Sequence, residues 1–187
     1  MPEPIRLPRG RLRRAAAMAG TERVAMAEPS IAAYHEAGHA VMAMLCGIRV
    51  LRVALKFEYT TNGSTETDDS PRTAHSQAER ELLEKHVLVS LAGSAAQSRA
   101  NPASLKLFMD SGDRDAAGAL LRLLLSEGAT EERITELTES WMERAVERIT
   151  DRTVWRAVET VATELQEKYF LSGAEAQRLF DRSMGNT

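Results

Sequence analysis

Ala33-Tyr34-His35-Glu36-Ala37-Gly38-His39-Ala40-Val41 is the stretch on which the reading of this chain turns. It contains the pattern H-E-x-x-H inside a run rich in small apolar residues. On a helix, residues four apart lie on one face, about 5–6 Å apart at Cβ. His35 and His39 can therefore both direct an imidazole nitrogen at one zinc ion, with nitrogen–metal distances of about 2.0–2.1 Å. Glu36 follows directly and leans over the open coordination position. There it can act as general base toward a zinc-activated water and return the proton to a leaving amine. Two of the chain's four His fall within this pattern. The neighbours Ala32, Ala33, Ala40, Val41, Ala43 and Met44 read as buried, and polar groups on a buried helix need partners, which a metal supplies. Gly38 costs about 1 kcal/mol relative to Ala within a helix. Either the position simply tolerates it, or another backbone approaches closely there.

Working outward, Pro29-Ser30 opens the helix, which spans about 31–46 and stops at Gly47, a residue suited to the left-handed cap. Residues 48–58 alternate enough for a strand. Asn62-Gly63 signals a turn into a short second strand near 64–67, forming a hairpin. Helical spacing returns over 75–99, with Leu82, Leu83, Val87, Leu91 and Ala95 on one face. A loop with Pro102 leads to a helix over 112–127. A longer helical stretch runs from 130 to about 170, with a break near 150. Ser172 and Glu175 form a capping-box pattern that opens a last short helix. The expected fold is mostly α with a small β-hairpin or sheet, an α+β arrangement in which the active-site helix packs in a helical bundle. The expected domains are a flexible Arg-rich tail, 1–28, and one metallopeptidase-like domain, 29–187.

Composition agrees with a single globular unit. The 187 residues are 43% hydrophobic and 27% charged, with a formal net charge of −3. Residues 1–30 are mildly basic and the remainder mildly acidic, so no basic stripe points to nucleic acid. Cys46 is the single cysteine, which excludes an internal disulfide and a Cys-based zinc site and suits a cytoplasmic, reducing setting. No run of 18 apolar residues suggests a membrane span. Pro2, Pro4 and Pro8 oppose an amphipathic transit helix.

A catalytic zinc ordinarily has three protein ligands. The extended pattern with Gly at 42 and His at 45 is excluded, because Met42 and Leu45 stand there. Glu58 and Glu66 fall in strand regions, and His75 and His86 read as surface residues of a charged helix. The acidic cluster Asp110, Asp113 and Asp115 sits at a loop-to-helix junction, where capping by Ser111 and dipole pairing explain one or two carboxylates. Asp115, inside the helix, is the preferred third ligand, with Asp113 as the alternative. Two His and a carboxylate suit zinc, although iron(II) uses such a set as well.

The active-site stretch resembles that of FtsH-type zinc peptidases, the protease halves of membrane-anchored AAA proteases. Residues 50–56 resemble the family's edge strand, which lies along the substrate. Leu88-Val89-Ser90-Leu91-Ala92-Gly93-Ser94-Ala95-Ala96 resembles its helix with a glycine and a small-residue pair, and 171–175 its final helix. By this resemblance His35 and His39 are zinc ligands, Glu36 is the general base and Asp115 completes the site. The Gly-to-Asp spacing is one residue shorter than in the family, which keeps Asp113 in play. The segment after the strand also lacks the family's Pro-Arg-Gly-type turn.

The implied function is a stand-alone metalloendopeptidase, without ATPase or membrane anchor, that hydrolyses unfolded or small peptides bound by strand addition. The competing expectation is a non-catalytic, zinc-containing binding or regulatory module, against which an intact Glu36 argues. A third is a helical interaction protein built on the stripe Trp141, Val146, Ile149, Val154, Val158, Val161 and Leu165. The family's ring assemblies leave room for a homo-oligomer or a separate ATPase partner.

Overall fold

The chain builds a mostly helical α+β structure in which one three-stranded antiparallel sheet flanks a helical assembly. The computed structural model describes residues 30–55, 63–68, 72–106, 111–125 and 128–185. The expected tail, Glu58, the Asn62 turn and Asp110 lie outside them.

Helix α1, Ile31–Leu45, begins where the Ser30 side chain accepts a hydrogen bond from the Ala33 amide. It ends at Gly47, whose φ of 73° is the left-handed conformation that a side chain disfavours. Nearly the whole helix is buried, and its small residues explain how. Ala33, Ala37, Ala40 and Ala43 are fully enclosed, so neighbouring backbones can come near. At Gly38 the approach is closest: a Cβ there would meet the Ala92 carbonyl oxygen at 2.5 Å and the Ala96 Cβ at 2.6 Å. The helical cost of Gly38 is thus the condition for seating α1 against α2.

Helix α2, Gln77–Ala100, is that partner. It opens with a reciprocal capping box between Ser76 and Glu79. Leu83, Val87 and Leu91 are fully buried, each contributing about 1.5–3 kcal/mol by removal from water. A short 3-10 turn, Pro102–Lys106, precedes α3, Ser111–Leu125. Helices α4, Glu131–Thr150, and α5, Arg152–Lys168, divide at Asp151, whose carboxylate accepts from the Thr153 and Val154 amides. The expected break near 150 is therefore a change of helix, made by a capping side chain. The apolar stripe along 130–170 packs mainly inward: Trp141, Ile149, Val154, Val158, Val161 and Leu165 are buried, and Val146 is the exposed member. Trp155 stacks on Tyr34 of α1, with ring centroids 5.5 Å apart and planes 3° from parallel. The Arg99 guanidinium covers Trp155 at 4.3 Å.

The sheet has the order β2-β1-β3. Strand β1, Val50–Leu55, pairs with β2, Gly63–Thr67, and with β3, Phe170–Ser172. β1 is therefore the central strand, which corrects the expectation of an edge strand at 50–56. The reason is β3, three residues joined to α5 by Tyr169 in the left-handed conformation. That turn sends the chain back along β1, where the Leu55 amide donates to the Tyr169 carbonyl at 2.9 Å. Nothing in the local pattern of 168–172 distinguishes so short a strand. Helix α6, Gly173–Met184, follows directly and opens with the expected Ser172–Glu175 capping box. Gly173 allows it to start against β1, because a Cβ would overlap the Val50 carbonyl. None of the described helices is long and apolar enough to cross a membrane.

Candidate metal centre

His35 and His39 lie one turn apart on the α1 face that meets α2. Their Nε2 atoms stand 3.1 Å apart. The Asp113 carboxylate, from the first turn of α3, reaches in so that its Oδ2 lies 3.3 Å from each Nε2. Among the described residues these three form a group able to hold a metal ion. Ligands at about 2.0–2.1 Å around a tetrahedral cation stand about 3.3 Å from one another, which this triangle matches.

The far side of each ring determines what the near side offers. His39 Nδ1 lies 2.7 Å from the Val89 carbonyl oxygen, which can only accept, so Nδ1 carries the proton. His35 Nδ1 lies 3.0 Å from Gln97 Oε1. With both Nδ1 atoms donating outward, neutral rings turn two Nε2 lone pairs and a carboxylate oxygen toward one point. Such an arrangement is repulsive unless a cation or an added proton sits among them. His39 is the ring whose pKa is raised. Burial opposes its charging, but the Asp113 hydrogen bond and charge, the Glu36 charge and the Val89 carbonyl outweigh that and push its pKa up to about 9. Burial likewise works to raise the Asp113 pKa, yet the hydrogen bonds and charges of His35 and His39 hold it well below the usual carboxylate range.

Space for the rings comes from Gly93. A Cβ there would meet His39 Cε1 at 2.7 Å and His35 Nε2 at 2.8 Å, and His39 Nε2 more closely still. Val89, Gly93 and Gln97 recur every fourth residue along one face of α2. That face thus supplies an acceptor for His39, clearance for both rings, and an acceptor for His35.

Glu36 is 5% exposed. Its Oε2 accepts from the Thr65 hydroxyl at 2.8 Å, and its backbone carbonyl lies 3.0 Å from the same hydroxyl. β2 covers it closely: a Cβ on Gly63 would stand 2.6 Å from Glu36 Oε1. The base expected beside the metal is thereby held by the hairpin.

The carboxylate that lies with the two His is Asp113, where Asp115 was expected. Two residues along a helix rotate by about 200°, so the two side chains leave α3 on opposite sides. Ala117, Leu121 and Leu124 are the buried hydrophobic residues described on α3, and Asp113 continues their stripe by one turn. Asp115 lies off that stripe and is exposed. The signal was in the sequence, as the phase of 113, 117, 121 and 124, and it outranks the place inside the helix that favoured Asp115. Of the remaining candidates, His75 is exposed and Glu66 is exposed and paired with Arg52. His86 is buried, contrary to the surface position expected for it, and its Nε2 has no partner among the described residues. Burial lowers its pKa, which keeps it neutral. Gly93, Gln97 and Thr65 are the site residues that motif reading missed as participants.

Compared with known proteins, the chain matches no family model and no curated sequence.

Proposed function

We propose that the chain is a zinc-dependent metallopeptidase of the FtsH-type kind, with His35, His39 and Asp113 holding the metal and Glu36 as general base. The observation that carries this reading is the convergence of two Nε2 lone pairs and a carboxylate oxygen from two different helices, beside a buried carboxylate. A zinc ion in that position supplies Lewis acidity, polarising a scissile carbonyl and a water molecule.

The chain's own groups supply the rest. Val89 and Gln97 hold the imidazoles with Nε2 facing inward. Thr65 fixes one oxygen of Glu36 and leaves the other to accept a proton from water. As the water oxygen bonds to the carbonyl carbon and the C–N bond breaks, Glu36 returns that proton to the leaving amine. β2 carries Thr65 and bounds the site. It has β1 on one side and no strand on the other among the described residues. An extended peptide adding to that free edge would run past Glu36, using main-chain hydrogen bonds and little sequence preference. This favours unfolded or small peptide substrates.

The test pairs metal analysis with cleavage of a fluorescent, unfolded casein. Wild-type protein is expected to carry about one zinc per chain and to cleave. Glu36→Gln is expected to keep the zinc and lose the cleavage. Zinc retained without cleavage by wild type would favour a zinc-containing binding module. A wild-type protein that takes up no metal would overturn the reading.

A further inference from the structure

We infer that Gln97 and Ser104 form a positioning relay that sets which nitrogen of His35 carries the proton, leaving the Nε2 lone pair toward the metal site, and that the 3-10 turn Pro102–Lys106 exists in part to hold that relay. The inference rests on the metal-site reading above and adds to it two residues that no motif contains.

The geometry leads outward from the ring. His35 Nδ1 meets Gln97 Oε1 at 3.0 Å. The other end of the same amide, Gln97 Nε2, donates to Ser104 Oγ at 3.3 Å. Ser104 Oγ in turn donates its one proton to the Asn101 carbonyl oxygen at 2.7 Å. Gln97 is 3% exposed and Ser104 1% exposed, so water does not substitute for any of these partners.

The direction of each bond follows from the chain end. A backbone carbonyl can only accept. The Ser104 hydroxyl therefore spends its proton on Asn101 and offers a lone pair to Gln97. An amide nitrogen can only donate, so Nε2 turns to Ser104 and Oε1 turns to His35. Facing an obligate acceptor, His35 carries its proton on Nδ1 and leaves the Nε2 lone pair toward His39 and Asp113. Partners of this kind, one bond removed from a metal, orient the ligand ring. An amide differs from a carboxylate here: it has polarity that can be reversed, and Ser104 is what prevents the reversal. Without Ser104 the amide can turn over, present NH2 to His35 and drive the ring proton onto Nε2, where it blocks the metal.

The experiment measures zinc affinity by competition with a chromophoric chelator, alongside thermal melting of the metal-free proteins. Gln97→Leu, apolar and of similar size, should fold and bind zinc about 10- to 100-fold more weakly. Ser104→Ala should weaken binding about tenfold, the lower end of that range. Gln97→Glu should bind in the wild-type range, since both carboxylate oxygens accept. The discriminating variant is Ser104→Ala placed in the Gln97→Glu background. With no amide polarity left to set, Ser104→Ala should there cost no affinity. Equal losses from Ser104→Ala in both backgrounds would make Ser104 a packing residue and overturn the relay. So would unchanged affinity in Gln97→Leu, with the metal site left standing. A wild-type protein that binds no zinc would overturn both.

Discussion

Gly93→Ala separates the site from the fold more sharply than any ligand substitution. The added methyl would stand 2.7 Å from His39 Cε1 and 2.8 Å from His35 Nε2, where ordinary contact begins at 3.4 Å. The His35 ring must retreat by roughly 0.6 Å, and the His39 ring, whose Nε2 is struck more closely still, by more than about 0.7 Å, at least three times the ±0.2 Å within which metal–ligand distances are held. The atoms struck are the tips of side chains, so the helices need not part. Overpacking costs about 1–3 kcal/mol, and replacing a helical Gly by Ala returns about 1 kcal/mol. The metal-free protein should therefore lose no more than about 2 kcal/mol. Zinc binding, with both imidazoles displaced, should fall by more than about 100-fold, the upper end of what losing an outer partner costs. Chelator competition reads the affinity, and chemical denaturation of the metal-free protein reads the stability. Gly118→Ala is the control. On α3 a Cβ would meet Ile134 Cγ2 at 3.4 Å, an ordinary contact, so the variant should gain up to about 1 kcal/mol and bind zinc as before. Wild-type zinc affinity in Gly93→Ala would refute the placement of the two rings against α2, and the metal-centre geometry with it.

Asp113→Asn should abolish stoichiometric zinc uptake, whereas Asp115→Asn, altering an exposed side chain on the other side of α3, should leave it intact; the reverse pattern in a metal analysis would restore the assignment to Asp115. At the other end of the chain, the Ser172 hydroxyl and amide, with Lys168, hold the Glu175 pKa down to about 2. A depressed carboxylate pKa contributes stability that is fully present above the ordinary value of 4.5 and is lost as pH falls through about 2. The difference in melting temperature between wild type and Glu175→Gln should accordingly shrink across that window, and a constant difference would show that the cap's charge contributes nothing.

The division between what was legible along the chain and what was not follows the range of the interactions involved. Helix α1, its Ser30 start and its Gly47 stop were readable, because capping and periodicity act within a few residues. The pairing of His35 with His39 was readable for the same reason, since one helical turn brings them together. The Ser172–Glu175 capping box and the change of helix near 150 were equally local. Asp113 was half-legible: its phase with Ala117, Leu121 and Leu124 marks it as inward-facing, but the place of Asp115 inside the helix and the family resemblance drew attention to Asp115 instead. Tertiary structure alone decided the rest. β1 became a central strand because a left-handed residue 115 positions after Ala54 returns three residues to its side. Gln97 and Val89 became partners of the imidazoles because Gly38 lets α1 settle onto α2. Hydrogen bonds over such separations leave no periodic trace in the sequence. They exist only after apolar burial has brought the helices together, and the His35–His39–Asp113 group is what that burial brings together.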